Sequence, residues 1–410
     1  MIKLDVRLFF SSIILLVLYG CAILPDEMFL GTVEKPPLPG KRISILAHDQ
    51  TLKIDVKNPE KQIILPPPTP NDNWPQAGGQ ANHAMHHMKI NPNVQEVWTV
   101  DIGAGTDDTD WLITQPILAD NRLYTMDAET EIAAFDALSG DEIWRVELAP
   151  EDAETGYIGG GIAYHSNKIF VTTGFSELIC LQAKTGEVLW RRKMDNPFKT
   201  APTVRGKRVF AVTLKNKLYA IDGSNGQTLW THSGIEETTD LIGGANPAVD
   251  AGVVVVPYSS GEIVALKIEN GKELWADSLA AGRRTDSTSS LSSIRGRPII
   301  DRGIVIVISN SGQFAAINLR TGKRIWERKI AGIESPWVAG EFIFVLTNNS
   351  ELVALSRKKG LIYWVTRLPQ WEDQEDKTGK ILWTGPVLAS DRLIVTGSTG
   401  EALSISPYNG

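Results

Sequence analysis

Cysteine is scarce in this chain. Only Cys21 and Cys180 occur among 410 residues, too few for a disulfide framework. An excess of positive charge is missing as well, because 41 lysines and arginines face 48 aspartates and glutamates, a formal net charge of -7. That balance excludes a chain that binds nucleic acid through its overall field. Extreme composition is also absent: 42% hydrophobic and 22% charged residues exclude a disordered or fibrous polymer. What the chain has in quantity is 36 glycines, 22 prolines and 12 tryptophans. Such a set implies many turns and a recurring aromatic position, and argues against a helical enzyme core.

The first residues read as an address. Lys3 and Arg7 precede an apolar run from Leu8 to Tyr19, and Gly20 and Cys21 follow it directly. A run this short, between a basic start and a small residue, is a secretory signal rather than a membrane span. Leu18-Tyr19-Gly20-Cys21 resembles the bacterial lipobox, although Tyr19 stands where a small residue is usual. The alternative is an ordinary signal with an incidental cysteine. The lipobox resemblance implies acylation of Cys21, each buried methylene holding the chain to a bilayer by about 0.8 kcal/mol. Ala22 takes the place of the aspartate that signals inner-membrane retention, which implies the outer membrane.

Asp26 to Pro39 is Pro-rich and suits an extended tether. The expected division is a lipoprotein signal over 1–20, a lipid-anchored tether over 21–40, a small extension over 41–70 and the body over 71–410. Arg42 to Leu46 and Leu52 to Val56 alternate like strands. The extension is too small for a core of its own, so it should add edge strands to something larger.

The body is a repeat. A glycine stands four residues before a tryptophan six times in register: Gly140 and Trp144, Gly186 and Trp190, Gly226 and Trp230, Gly271 and Trp275, Gly322 and Trp326, Gly360 and Trp364. Successive tryptophans are 46, 40, 45, 51 and 38 residues apart, and Trp98 lies 46 before Trp144. Gly379 and Trp383 share the motif but come only 19 residues after Trp364, off register. Ahead of each glycine runs an alternating strand such as Ile132 to Asp136, Leu218 to Asp222 or Phe314 to Asn318. Earlier in each unit stand two more apolar runs, the first often opened by proline, as at Pro116, Pro202, Pro247, Pro298, Pro336 and Pro386.

Each unit therefore reads as four short strands, with the glycine supplying positive φ in the last hairpin. Four strands at a period of about 45 residues predict an all-β fold, a β-propeller of four-stranded blades. Seven third strands are present, the last over Glu401 to Ser406, and seven tryptophan strands if Val97 to Val100 is counted. That N-terminal strand should complete the last blade and close the ring. The sequence ends at Asn409-Gly410, the turn before a further tryptophan strand, so either seven blades close or an eighth is cut away.

Residues that could carry chemistry have structural readings. His83, His86 and His87 lie in an irregular leader without a Cys or carboxylate partner at a metal-binding spacing, and are expected to pack or face solvent. Asp136 and Asp222 recur at one position of the repeat, which suits hydrogen bonding within blades rather than a metal site. Cys180 reads as a small core residue, and Ser259 and Ser260 as an inter-strand turn. Gly159-Gly160-Gly161 lacks the Lys-Ser or Lys-Thr of a phosphate loop, and Trp371 to Lys377 reads as a charged surface insertion. No catalytic residue, metal or cofactor is expected. The longest spacing holds Arg283, Arg284, Arg295 and Arg297 with Leu291 and Ile294, a composition common at interfaces.

The units Ala134 to Trp144 and Ala220 to Trp230 resemble the repeat shared by pyrroloquinoline-quinone (PQQ) dehydrogenases and the BamB family, lipoproteins of the outer-membrane β-barrel assembly (BAM) machinery. Lipobox, tether and propeller follow the BamB order. Asn73 to Gly79 and His83 to His87 resemble the alphaproteobacterial branch. This resemblance implies eight blades, with the last truncated here, and a non-enzymatic scaffold on the periplasmic side of the outer membrane. Implied partners are the POTRA domains of BamA and other BAM lipoproteins, with unfolded outer-membrane proteins as conceivable clients through β-augmentation.

The same resemblance implies that partner contacts lie in two neighbouring loops, preceding Asn246-Pro247 and Pro298. Leu241 fits a leucine of the first loop, while Thr239 and Ile242 stand where a leucine and an arginine would be. Ser293 and Arg295 replace an acidic pair in the second. The implied partner-binding set is Leu241, Ile242, Ser293, Ile294 and Arg295. A neutral or basic loop should meet a more acidic partner patch. The alternative is a periplasmic PQQ-dependent quinoprotein dehydrogenase, which would need a cation site, a catalytic aspartate and often adjacent cysteines.

Overall fold

Two-residue turns set the local pattern. Asp120-Asn121, Ser166-Asn167, Ala251-Gly252, Arg302-Gly303 and Ser390-Asp391 all have φ between +43° and +77° at both positions. Paired left-handed residues match the twist of the flanking strands and close tight hairpins. The computed structural model describes residues 52–56, 62–108, 111–151, 159–239, 241–280 and 292–410, all within one compact unit. Cys21, the tether, Arg42 to Leu46 and Ala281 to Leu291 lie outside the described residues.

Seven antiparallel meanders follow one another, a β-propeller as the repeat predicts. Blade 1 consists of Ile117–Ala119, Arg122–Met126, Glu131–Asp136 and Glu142–Glu147, paired in sequence order. Blade 2 runs from Gly160–His165 to Val188–Lys193, blade 3 from Thr203–Arg205 to Thr228–Ser233, and blade 4 from Ala248–Asp250 to Glu273–Ser278. Blade 5 runs from Ile299–Asp301 to Arg324–Arg328 and blade 6 from Trp337–Ala339 to Ile362–Arg367, each four-stranded. Blade 7 has three strands, Trp383–Ala389, Arg392–Gly397 and Ala402–Ile405. Trp383 thus opens a first strand, which explains its off-register spacing. The acidic insertion is a separate hairpin, Trp371–Asp373 with Thr378–Lys380.

The core lies between blades. In blades 1 to 6 the second and third strands are buried on both faces, and one apolar cluster joins Val255, Ala265 and Trp275 of blade 4 to Ile300, Val307 and Ile317 of blade 5. Equivalent clusters join blades 1 and 2, 2 and 3, and 5 and 6. Within a blade the tryptophan faces a small residue across the third and fourth strands: Ala134, Cys180, Ala220, Ala265, Ala316 and Ala354 oppose Trp144, Trp190, Trp230, Trp275, Trp326 and Trp364. A bulge follows each pair and increases the local twist. Cys180 is the one thiol in a place otherwise held by alanine, and burial pushes its pKa up to about 12.

The repeat glycines have positive φ, as at Gly140 (80°) and Gly186 (75°), and a second role that connects blades. A Cβ on Gly186 would come within 2.7 Å of the Trp144 ring, and one on Gly271 within 2.5 Å of Trp230. The tryptophan of each blade therefore lies on the glycine of the next. In every one but Trp190 the indole N–H donates to the carbonyl three residues before that glycine: Trp144 to Ala183 (3.0 Å), Trp230 to Ile268 (3.2 Å), Trp275 to Leu319 (2.7 Å), Trp326 to Arg357 (2.7 Å) and Trp364 to Pro407 (3.1 Å).

Trp98 occupies the same place on blade 1, over Gly140 with its N–H 3.3 Å from the Ala137 carbonyl. Its neighbours correct one expectation. Val97 to Val100 form no strand, and Val97 is 80% exposed. The bonds that fix Trp98 are made to blade 1, so the side chain is seated without a backbone ladder to Ala402–Ile405. Leu52 to Val56 lies at the rim of blade 6, where the Asp55 and Val56 N–H groups both donate to the Ile362 carbonyl.

Asp136 and Asp222 serve the hairpins. Asp136 accepts from the N–H groups of Ser139 and Leu138, and Asp222 from the hydroxyl and then the N–H of Ser224, bonds that hold both carboxyls below their usual pKa.

Candidate functional site

The segment from Trp74 to Met88 contacts the first strand of every blade, or the residue just before it, in order. Trp74 exchanges two backbone bonds with Leu118 of blade 1, and Tyr164 of blade 2 donates to the Pro75 carbonyl. Gln76 acts as a side-chain surrogate for a strand: Val204 N–H of blade 3 donates to its Oε1 at 2.9 Å, and its Nε2 donates to the Val204 carbonyl at 3.4 Å. Val249 of blade 4 donates to Ala81, and Ile300 of blade 5 to Asn82. Trp337 of blade 6 donates its indole N–H to His86, and Met88 donates to Leu388 of blade 7. From its sequence this segment reads as an irregular leader. Gly78 and Gly79, both at positive φ, were the local signal of its tight turn.

The three histidines diverge. His83 is buried; its Nδ1–H donates to the Pro298 carbonyl at 2.7 Å and its Nε2 accepts from the Asn246 amide at 3.1 Å. Burial, aided by the Arg297 charge, lowers its pKa to about 3. His87 has different partners: its Nδ1–H donates to the Pro66 carbonyl and its Nε2 accepts from Asp391 N–H. His86 lies 3.6 Å from the Asp301 carboxylate. Among the described residues, no group of three His, Cys, Asp or Glu side chains could hold a metal ion.

Asn246 is shared more widely, since its Nδ2 also donates to Thr203 Oγ1 at 2.9 Å and its Oδ1 accepts from Arg297 Nε at 2.8 Å. Asn246 and Arg297 line an axial cavity of about 350 Å³ that blades 1 to 7 all border, through connections before their first strands or those strands' first residues. Leu112 to Gln115 lead into blade 1, Lys199 to Ala201 into blade 3, Gly243 to Asn246 into blade 4, Arg295 and Arg297 into blade 5, and Glu334 into blade 6. Gly160 and Thr384 come from the strands of blades 2 and 7, and Ala77 from the threading segment. Burial and the nearby Arg295 charge lower the Lys199 pKa to about 7. Burial also lowers that of Arg297 to about 10 and raises that of Glu334.

The two expected partner loops meet at the rim of this cavity. Arg295 Nε donates to the Ile242 carbonyl at 3.1 Å, and its Nη1 to Glu334 at 3.3 Å. Leu241 is half-buried and Ile242 exposed. Ser293 and Ile294 are each only 1% exposed, Ile294 within the core between blades 4 and 5. Of the five expected residues, Ile242 is therefore exposed to solvent and Arg295 and Leu241 are so in part. Ser259 is held inside by Asn216, to which its Oγ–H donates at 2.9 Å.

Residues 128–366 match the family described as "Outer membrane protein assembly factor BamB". The chain belongs to the BamB family. BamB of Yersinia pestis is 26% identical over 199 residues, covering 48% of each chain, and BamB of Escherichia coli K12 is 26% identical over 170 residues, 42% of this chain and 41% of its own. An uncharacterized protein of Rickettsia prowazekii is 29% identical over 164 residues, 39% of each chain. The leader's resemblance to the alphaproteobacterial branch is in keeping with that relative. The chain spans about half the length, or less, of the curated relatives it matches. The crystal structure of BamB from Moraxella catarrhalis shares the fold, with a TM-score of 0.60 at 18% identity over 76% of this chain and 92% of that one.

Proposed function

We propose that this BamB-family chain is a non-enzymatic scaffold of the outer-membrane β-barrel assembly machinery. An acylated Cys21 anchors it to the periplasmic side of the outer membrane, and residues 21–40 hold residues 71–410 off the bilayer. The loop face around Ile242 and Arg295 docks onto the POTRA domains of BamA and keeps them in an arrangement useful for inserting outer-membrane proteins.

The observation that carries this reading is the bond from Arg295 to the Ile242 carbonyl. It fixes an exposed apolar side chain beside a guanidinium on two loops of adjacent blades, a pairing typical of protein interfaces. Family membership supports the same reading. The dehydrogenase alternative draws less support, because Cys180 opposes Trp190 inside blade 2 and Asp136 and Asp222 hold the hairpin turns.

Titration of purified POTRA domains tests it. Ile242→Asp and Arg295→Glu should each weaken binding at least tenfold while the circular dichroism spectrum is unchanged. Ile294→Ala should instead lower stability by about 2–4 kcal/mol, as loss of a buried isoleucine does. Unaltered binding by both folded loop variants would remove this face from the account.

A further inference from the structure

Charge divides between the two ends of blades 5 and 6. In an antiparallel meander, the first-to-second and third-to-fourth turns lie at one end, and the second-to-third turns and the connections between blades at the other. Ile242 and Arg295 stand on such connections, so the proposed docking loops occupy the connection end. At the opposite end, blades 5 and 6 carry Arg302, Arg320, Lys323, Arg357, Lys358 and Lys359 against two carboxylates, Asp301 and Glu341. Glu341 is shared by Arg302 (3.1 Å), Arg357 (3.0 Å) and Lys358 (3.1 Å), and Asp301 lies 3.2 Å from Arg357. Arg320, Lys323 and Lys359 are exposed and form no ion pair among the described residues. That surplus stands in a chain whose net charge is -7. The connection end of the same region has the hairpin after blade 6, where Glu372, Asp373, Glu375 and Asp376 outnumber Lys377 and Lys380. A region polarised in this way turns its basic end toward an anionic surface.

The N-terminal chain arrives at the basic end. The Asp55 and Val56 N–H groups donate to the Ile362 carbonyl, just past the third-to-fourth turn of blade 6. The Asp55 carboxylate accepts from Ile362 N–H and from Arg328, each at 2.9 Å. Pro66 lies against Gly340, in the first-to-second turn of the same blade. Lys53 is exposed beside these contacts and adds to the surplus. Cys21, the anchor in the reading above, is 31 residues before Leu52. A body tethered from this side presents its basic end to the bilayer and its docking loops away from it. Basic residues near a lipid anchor strengthen its hold on an anionic membrane.

We propose that the basic end of blades 5 and 6 binds the anionic phospholipid headgroups of the membrane that anchors Cys21, with Arg320, Lys323 and Lys359 as contact residues. The proposal rests on the anchoring part of that reading and not on docking. The tether sets how far the body can stand from the bilayer, and this contact sets which end faces it.

Sedimentation with lipid vesicles tests this, using full-length protein carrying Cys21→Ala so that no acyl chain contributes. The vesicles are phosphatidylcholine alone, or phosphatidylcholine with phosphatidylglycerol. Binding should be at least tenfold tighter to the anionic vesicles and should fall as salt rises. The neutral vesicles report any contribution of the apolar run from Leu8 to Tyr19. Arg320→Glu combined with Lys323→Glu and Lys359→Glu should weaken binding to the anionic vesicles at least tenfold. Lys377→Glu with Lys380→Glu, at the other end, should not. All five side chains are exposed, and circular dichroism checks that both variants fold. Equal binding to the two vesicle types, or unchanged binding by the folded triple variant, would overturn the proposal. Capture of an acidic protein by the basic end without preference for anionic vesicles would overturn it as well, and assign the surface to a protein partner. Ile242→Asp should leave vesicle binding unchanged, and labelled-palmitate incorporation at Cys21 tests the anchor by itself, so the three readings fail separately.

Discussion

Trp144 lies on Gly186 of the next blade, not on Gly140 of its own. The ring would be 2.7 Å from a Cβ at that glycine, and its N–H bonds the Ala183 carbonyl at 3.0 Å. The repeat motif is thus two halves of two different contacts, and each blade is keyed to its successor. Gly186→Ala would combine a strained left-handed backbone with this clash. It should destabilise the protein by about 1–3 kcal/mol. Gly206→Ala, also at positive φ but with open space around it, should cost only the backbone term. Denaturant unfolding of the two variants separates the contributions; equal losses would mean the ring contact contributes nothing.

One tryptophan breaks the rule. Trp190 packs over Gly226, yet its Nε1 has no hydrogen-bond partner, and the equivalent carbonyl, Gly223, accepts from Lys168 at 3.4 Å. Trp190→Phe loses ring volume over Gly226 but also removes an unsatisfied donor, so its cost is that of packing alone. Trp275→Phe strands the Leu319 carbonyl, which now accepts at 2.7 Å, and should cost about 1–3 kcal/mol more. Thermal unfolding of both variants would expose the difference, and the reverse order would contradict this assignment.

Much of the fold was legible because its period is written in residues that must be what they are. Gly140 and its counterparts need positive φ, and the tryptophans need equal slots, so spacing alone gives the blades. The contacts between blades were not legible, since nothing in the Gly-to-Trp spacing says which glycine a ring covers. Trp74 to Met88 was harder still, because its bonds are backbone bonds that depend little on side-chain type. Gln76, mimicking a strand through its amide, carries no sequence signature. At the candidate site, the resemblance located two adjacent loops but not which side chains face outward. Ser293 and Ile294 are inside because the connection leading to Ile299–Asp301 packs Ile294 into the core between blades 4 and 5.

His83 makes stability depend on acid. Its folded pKa, about 3, is depressed below the ordinary 6.5 by burial and by Arg297, so the folded state excludes the proton that the unfolded chain binds. The contribution is complete above pH 6.5 and is lost as pH falls toward about 3, by about 1.4 kcal/mol per pH unit. His83→Asn keeps a residue that tolerates the φ of 61° and removes the titrating group. The variant should be less stable at pH 7 but show a flatter decline between pH 6 and 4. Chemical denaturation at each pH checks this, and parallel declines would assign the acid sensitivity elsewhere.

The central claim is that this propeller is a docking scaffold rather than an oxidoreductase. The most direct measurement is recovery of the tagged, full-length protein from gently solubilised envelopes, with co-purifying proteins identified by mass spectrometry. The account predicts BamA and its associated lipoproteins with the wild type, and their loss with Ile242→Asp while the variant stays folded and membrane-bound. Absence of BamA from the wild-type sample, with dye-linked dehydrogenase activity on adding quinone and calcium, would contradict it.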